Sequence, residues 1–146
     1  MSLSSQFATD KQAEVDGVWV EYGANKDGSV PGFKISRMSK ANKKYTKALE
    51  RATRPHRRAI ELETMNNDLA ERLFMEVFVD TVLLDWRNVS LSDVSGEKKA
   101  EGYADYSKAN ALSLFERLNE LYDDLQEKAK KASLFRDETL EGEAGN

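Results

Sequence analysis

The sequence predicts an α+β domain in which an N-terminal β-hairpin is followed by a mainly α-helical bundle of about four helices. Three observations carry that expectation. Apolar residues alternate over 18–22 and again over 33–35, with turn residues between them. From residue 41 onward, apolar residues recur instead at steps of three and four. The strands come first and the helices after, the order expected of α+β rather than of alternating α/β. With 146 residues, 40% hydrophobic and 33% charged, the chain is long enough for one domain burying roughly 70% of its unfolded surface. The expected organisation is a flexible segment over 1–14, a single domain over 15–135, and a mobile acidic tail over 136–146. Within the domain the hairpin takes 15–37 and the helices 39–132, with a loop at 87–106.

Each element has a local reason. In "VDGVWVEYG", Val18, Val20 and Tyr22 share one face of a strand, and Trp19 and Glu21 the other. "ANKDGSVPG" follows with Asp27-Gly28 and Pro31-Gly32 as turn signals, and "FKISR" alternates again around Phe33 and Ile35. Such a hairpin is marginal alone, so its apolar face must pack on something. Ser39 is an expected N-cap for a helix whose apolar stripe is Ala41, Tyr45, Ala48, Leu49 and Ala52. Pro55 removes a backbone donor and predicts a break there. "NDLAERLFMEVFVDTVLLDW" reads as one helix to Trp86, buried on most sides, in which a charge at Phe74 or Phe78 is expected to unfold the protein. The segment 87–106 loses periodicity and reads as an irregular loop, with Tyr103 and Tyr106 as anchors. Ser107 caps a last helix with the seam Leu112, Phe115, Leu118, Tyr122, Leu125 and Ala129.

Several function classes find little support. The chain has no cysteine, so no thiolate zinc site, disulfide framework or cysteine nucleophile is expected. No signal peptide or membrane span is expected either. His56 is the single histidine and stands among arginines, without the partners that a catalytic base needs. The acidic pairs Asp123/Asp124 and Asp137/Glu138 are adjacent rather than a turn apart, and no loop alternates oxygen ligands as a calcium site does. "KDGS" and "SGEKK" each hold one glycine and do not make a phosphate loop. The residues therefore suggest no catalytic group, no metal and no cofactor.

One feature remains. "KISRMSKANKKYTKALERATRPHRR", residues 34–58, holds ten of the 22 Lys and Arg of a chain whose net charge is −4. On a helix, Lys40, Lys44, Lys47, Arg51 and Arg54 form a basic ridge roughly 120° from the apolar stripe. Three readings stay open for it: a solvated face, a contact with another protein, or a contact with nucleic acid. The last is weakened because Tyr45, the aromatic on this helix, lies in the apolar stripe and not among the cations.

Taken in order, several pieces resemble the tail assembly chaperones of long-tailed, siphophage-like bacteriophages. They are "TDKQAEVDGVWVEYG", an acidic lead into a strand; "GFKISRMSKANKKYTKALERATRPHRR", a strand running into a lysine-rich helix; "FVDTVLLDWRNV"; and "YSKANALSLFERLNELYDDLQEKAKKASLFRDETLEGEAGN". The resemblance spans roughly 9–146 and rests on the ordered set. The leucine-rich segment departs from the pattern in lacking the proline that often splits it.

The resemblance implies a non-catalytic protein of the host cell cytoplasm, absent from the mature virion. It implies a chaperone that binds the tape measure protein, keeps it soluble and helps recruit tail tube protein subunits. No membrane partner is expected, nucleic acid is disfavoured, and self-association stays open. On this reading the ridge Lys40, Lys44, Lys47, Arg51 and Arg54 is a charged rim beside an apolar contact that includes Trp19. The alternatives are a virion structural protein, such as a tail-completion or connector subunit, and a small nucleic-acid-binding module using helix 39–58.

Overall fold

A computed structural model describes residues 2–136. The chain is mixed helix and strand, as expected, but it is not a four-helix bundle. In order it runs through α1 (Leu3–Phe7), α2 (Lys11–Asp16), β1 (Val18–Glu21), β2 (Gly32–Ile35), α3 (Lys43–Thr53), a 3-10 turn (Arg54–His56) and α4 (Arg57–Glu61). There follow α5 (Asn67–Thr81), β3 (Leu83–Arg87), α6 (Leu91–Ser95), α7 (Lys108–Arg117), α8 (Asn119–Lys130) and a second 3-10 turn (Ala132–Phe135). The expected acidic tail, apart from Arg136, lies outside the described residues.

The largest departure from expectation is β3. "VLLDW" does not finish the long helix. The helix ends at Thr81, and the next five residues form a strand antiparallel to β2, giving a three-stranded sheet in the order β1-β2-β3. The register pairs Phe33 with Trp86 and Gly32 with Arg87, with an irregularity at Lys34/Ile35. A short apolar run reads equally well as buried helix or buried strand. What decides here is tertiary: the hairpin presents a row of unpaired backbone groups along β2, and residues 83–87 satisfy them.

The hairpin itself forms as expected, with Val20 opposite Phe33 and Val18 opposite Ile35. Val20, Phe33, Ile35, Leu83 and Trp86 are all buried. Behind the sheet, α5, α7 and α8 extend the same hydrophobic core. The Phe78 ring centroid lies 6.1 Å from that of Phe115 and 5.4 Å from that of Tyr122, with Phe115 and Tyr122 5.5 Å apart.

The expected irregular loop holds more structure than its composition suggests. Ser90 caps α6 by accepting from the Asp93 amide, and Gly96 ends that helix in the left-handed region. Its tyrosines do anchor it: the Tyr106 hydroxyl donates to the Leu83 carbonyl at 2.6 Å, and that of Tyr103 to Ser29 at 2.8 Å and to Asp27. The Trp86 indole N–H donates to the Ala104 carbonyl at 2.9 Å. Ser107 caps α7 as predicted. The continuous last helix is instead two helices, parted at Leu118 (φ −116°, ψ 68°) with neither proline nor glycine at the break.

Residues 1–14, expected to be loose, contain α1 and the start of α2. Ser2 makes a capping box with Ser5, and the Asp10 carboxylate accepts from the Gln12 and Ala13 amides. These helices meet the other end of the chain. The Asp10 amide donates to the Phe135 carbonyl at 2.8 Å, and Thr9 bridges to Arg136. Arg37 joins the contact by pairing with Glu14 at 3.3 Å and lying 5.9 Å from the Phe135 ring centroid.

Between α2 and β1 the chain turns at Gly17 with φ +90°. A Cβ there would stand 2.7 Å from Leu84 Cδ1 and 3.1 Å from the Ile35 carbonyl oxygen. Gly17→Ala is therefore expected to cost about 1–3 kcal/mol, from a positive-φ extended backbone that L side chains rarely adopt and from a fixed carbonyl that cannot retreat. A chemical denaturation midpoint unchanged from wild type would refute this.

Candidate partner-binding groove

The site begins with α3. Its cap is Asn42 rather than the expected Ser39: the Asn42 side chain accepts from the Tyr45 amide at 3.1 Å and donates to the Arg37 carbonyl at 2.8 Å. Pro55 produces the predicted interruption, as the 3-10 turn that parts α3 from α4. Although α3 is strongly amphipathic, no residue on it is fully buried. Its apolar stripe packs against α5 but is only partly covered.

The second wall is α5. Phe78 is fully buried, whereas Phe74, one turn earlier on the same face, is 42% exposed. This corrects the expectation that both are core residues. The reason is the extent of the cover. Around Phe78 stand Phe115 and Tyr122 from α7 and α8, whereas Phe74 borders an open groove with Asn119 and Tyr122. The apolar face of α5 thus emerges from the core and becomes the floor of a groove.

Met38, Tyr45, Leu49, Phe74, Val77 and Tyr122 form the apolar part of this groove between α3, α5 and α8, a space of about 200 Å³. That is smaller than the roughly 300–1,000 Å³ typical of small-molecule and cofactor sites, and nearer to what an inserted side chain requires. Glu71, Asn119, Asp123 and Gln126 complete the lining. Both charged members are acids. Their field is felt at Tyr122: burial first, then Asp123, Tyr45 and Glu71, push its hydroxyl well above the ordinary tyrosine range. Tyr122 is therefore a neutral phenol at any physiological pH.

The sequence-predicted site residues lie elsewhere. Lys40 precedes α3; Lys44, Lys47 and Arg51 lie on it, and Arg54 follows in the 3-10 turn; all five are exposed. Arg54 is held by Glu50 one turn earlier, a contact that lowers the Glu50 pKa and raises that of Arg54. Lys40, Lys44, Lys47 and Arg51 form no ion pair with another described residue. None of the five lines the groove; Lys44, Lys47 and Arg51, at about 100° per residue along α3, point away from Tyr45 and Leu49. Trp19 sits on β1, half-buried, with the Arg87 guanidinium 4.2 Å from its ring centroid. It neighbours strand residues, not the ridge.

A reading by residue type missed the groove because its key member, Phe74, has the same periodicity as the core. The available signal was negative: nothing in the sequence supplies a second apolar layer over the N-terminal half of α5. Ile60, Leu62 and Leu69, near the α4–α5 connection, are likewise exposed.

A second, more polar recess lies between the hairpin turn and the α6 region. It is lined by Lys26, Asp27, Ser92, Asp93, Lys98 and Tyr103 among others. Hydrogen bonds from Ser29 and Tyr103 hold the Asp27 carboxyl down at about 2. Its charges are mixed, and the Asp27 carboxylate is already engaged by Ser29 and Tyr103, so it reads as a surface fold of the chain. Among the described residues no group of three or more His, Cys, Asp or Glu is placed to hold a metal ion, and no helix is long and apolar enough to cross a membrane.

A family model described as YdaY prophage protein matches residues 40–146 of the chain. That stretch contains α3 and everything after it, hence both the ridge and nearly all of the groove. No curated protein and no solved structure matches.

Proposed function

The chain belongs to the YdaY prophage protein family and is phage-derived, and on that premise we propose that it is a tail assembly chaperone acting on the tape measure protein. In this role it is non-catalytic, works in the host cell cytoplasm, keeps the tape measure protein soluble, helps recruit tail tube protein, and leaves before the virion is complete. The observation that carries the reading is the incomplete cover of α3 and α5. Two amphipathic helices leave apolar surface open next to helix α8, the arrangement by which a groove holds a further amphipathic helix. A tape measure protein is a long helical protein that must be kept from aggregating through such stripes. The exposed cations on the outer side of α3 suit a second, charged margin of contact, since such margins govern encounter rate and partner choice more than affinity. On this reading Lys40, Lys44, Lys47, Arg51 and Arg54 form a charged margin on the outer side of α3, apart from the groove itself, and Trp19 is a separate apolar contact.

The test is co-expression with the tape measure protein of the same prophage, followed by capture through a tag on this chain. Wild type is expected to bring down soluble tape measure protein. The variant with Lys40, Lys44, Lys47, Arg51 and Arg54 all changed to Glu is expected to bring down markedly less. If wild type captures none and instead retains DNA or RNA in a strongly salt-dependent way, the ridge is a phosphate contact and the chaperone reading fails. Recovery of the chain as a fixed component of purified particles would make it a virion structural protein instead.

A further inference from the structure

The groove between α3, α5 and α8 differs in sign from the ridge on the outer side of α3. Every charged side chain lining it is a carboxylate, Glu71 on one wall and Asp123 on another, and both are exposed at the margin of an apolar floor. Neither forms an ion pair with another described residue, whereas the next acid on α8, Asp124, is taken by Lys128 at 2.8 Å. Arg72, adjacent to Glu71, pairs with Glu76 and Glu116 instead. The two groove acids thus stand without cations beside Phe74, Leu49 and Tyr45, a placement that disfavours an acidic ligand and leaves charge to be matched by a basic one.

We propose that this groove receives a helical segment whose large apolar side chain inserts against Phe74 and whose flanking positions carry Lys or Arg, read by Glu71 and Asp123. The proposal rests on the chaperone reading for the identity of the partner as a tape measure helix, but not for the chemistry of the groove. The neutral phenol of Tyr122 and the amides of Asn119 and Gln126 complete the wall without adding charge. A glutamate-flanked helix of the same apolar face would place like charges together. The groove then selects sequence as well as amphipathicity, and it uses the face of α3 opposite the basic ridge.

The full-length chain is tested with two synthetic helical peptides of identical apolar face, one flanked by lysine and one by glutamate. Wild type is expected to bind the lysine-flanked peptide roughly tenfold more tightly, with the preference shrinking as salt is raised. Glu71→Lys/Asp123→Lys is expected to reverse the preference. Phe74→Asp is expected to remove binding of both peptides; circular dichroism of each variant checks that the fold is retained. Equal binding of the two peptides by wild type, or binding indifferent to Phe74→Asp in a folded variant, overturns the groove proposal. The same variants are then assayed for tape measure capture. Capture that is intact in wild type yet unaffected by them leaves the chaperone reading standing and sinks the groove. Selective peptide binding with no tape measure capture does the reverse.

Discussion

Replacing Phe78 with alanine is expected to lower the free energy of unfolding by about 3–5 kcal/mol, the range for removing a large aromatic from a closed core. Phe78 has no exposed surface and makes edge-on contacts with both Phe115 and Tyr122. Its loss leaves a cavity at the junction of α5, α7 and α8, where three helices fix one another and none can collapse without moving the others. With a typical domain stability of about 5–15 kcal/mol, the variant keeps its fold only narrowly. Phe74→Ala is the internal control. One turn away on the same helix and 42% exposed, it is expected to cost a small fraction of that amount. Urea titrations of the two variants decide the matter: comparable losses would mean that the groove is closed in solution.

Phe135→Ala is expected to cost about 3 kcal/mol, and to do so unevenly. Phe135 is buried between the two ends of the chain, under the Arg37 guanidinium. Arg37 in turn pairs with Glu14, and its buried Nε–H donates to no described residue. Removing the ring exposes this pair and loosens what it joins. Hydrogen exchange is therefore expected to quicken at the Asp10 and Arg37 amides, which donate to Phe135 and Glu14 carbonyls, while amides of α5 and β2 stay protected. Uniform acceleration over the whole chain would show that the terminal contact is part of the global core.

The parts of this fold legible in the sequence are those governed by local chemistry. The turn residues of 23–32 announced the hairpin, Pro55 the break after α3, and Ser107 the start of α7. What the sequence concealed was decided by distant partners. Leu83 to Trp86 reads as helix until β2 is present to pair with it. Ser39 is a good cap in isolation, yet Asn42 takes the role because its amide reaches both the Tyr45 N–H and the Arg37 carbonyl. The break at Leu118 has no residue that forces it. Of the candidate site, the charges of the ridge were plain and the groove was not, since the exposure of Phe74 depends on how α3, α5 and α8 pack around it. The family match secures phage origin over residues 40–146, and the structure adds a surface on which a function can be tested.

The bridge between Thr9 and Arg136 has a consequence for how the molecule is made. These residues lie at opposite ends of the described chain, so their contact closes a loop of nearly its full length and gains nothing until that entropy has been met. On the ribosome, α1 and α2 emerge well before Phe135 and Arg136, the residues they pair with. The hairpin, α3 and α5 can assemble meanwhile around the Phe33 and Phe78 clusters. Locking of these two segments comes late, and until it happens Leu3, Phe7 and Val15, already outward-facing in the finished fold, are tethered by only their own short helices.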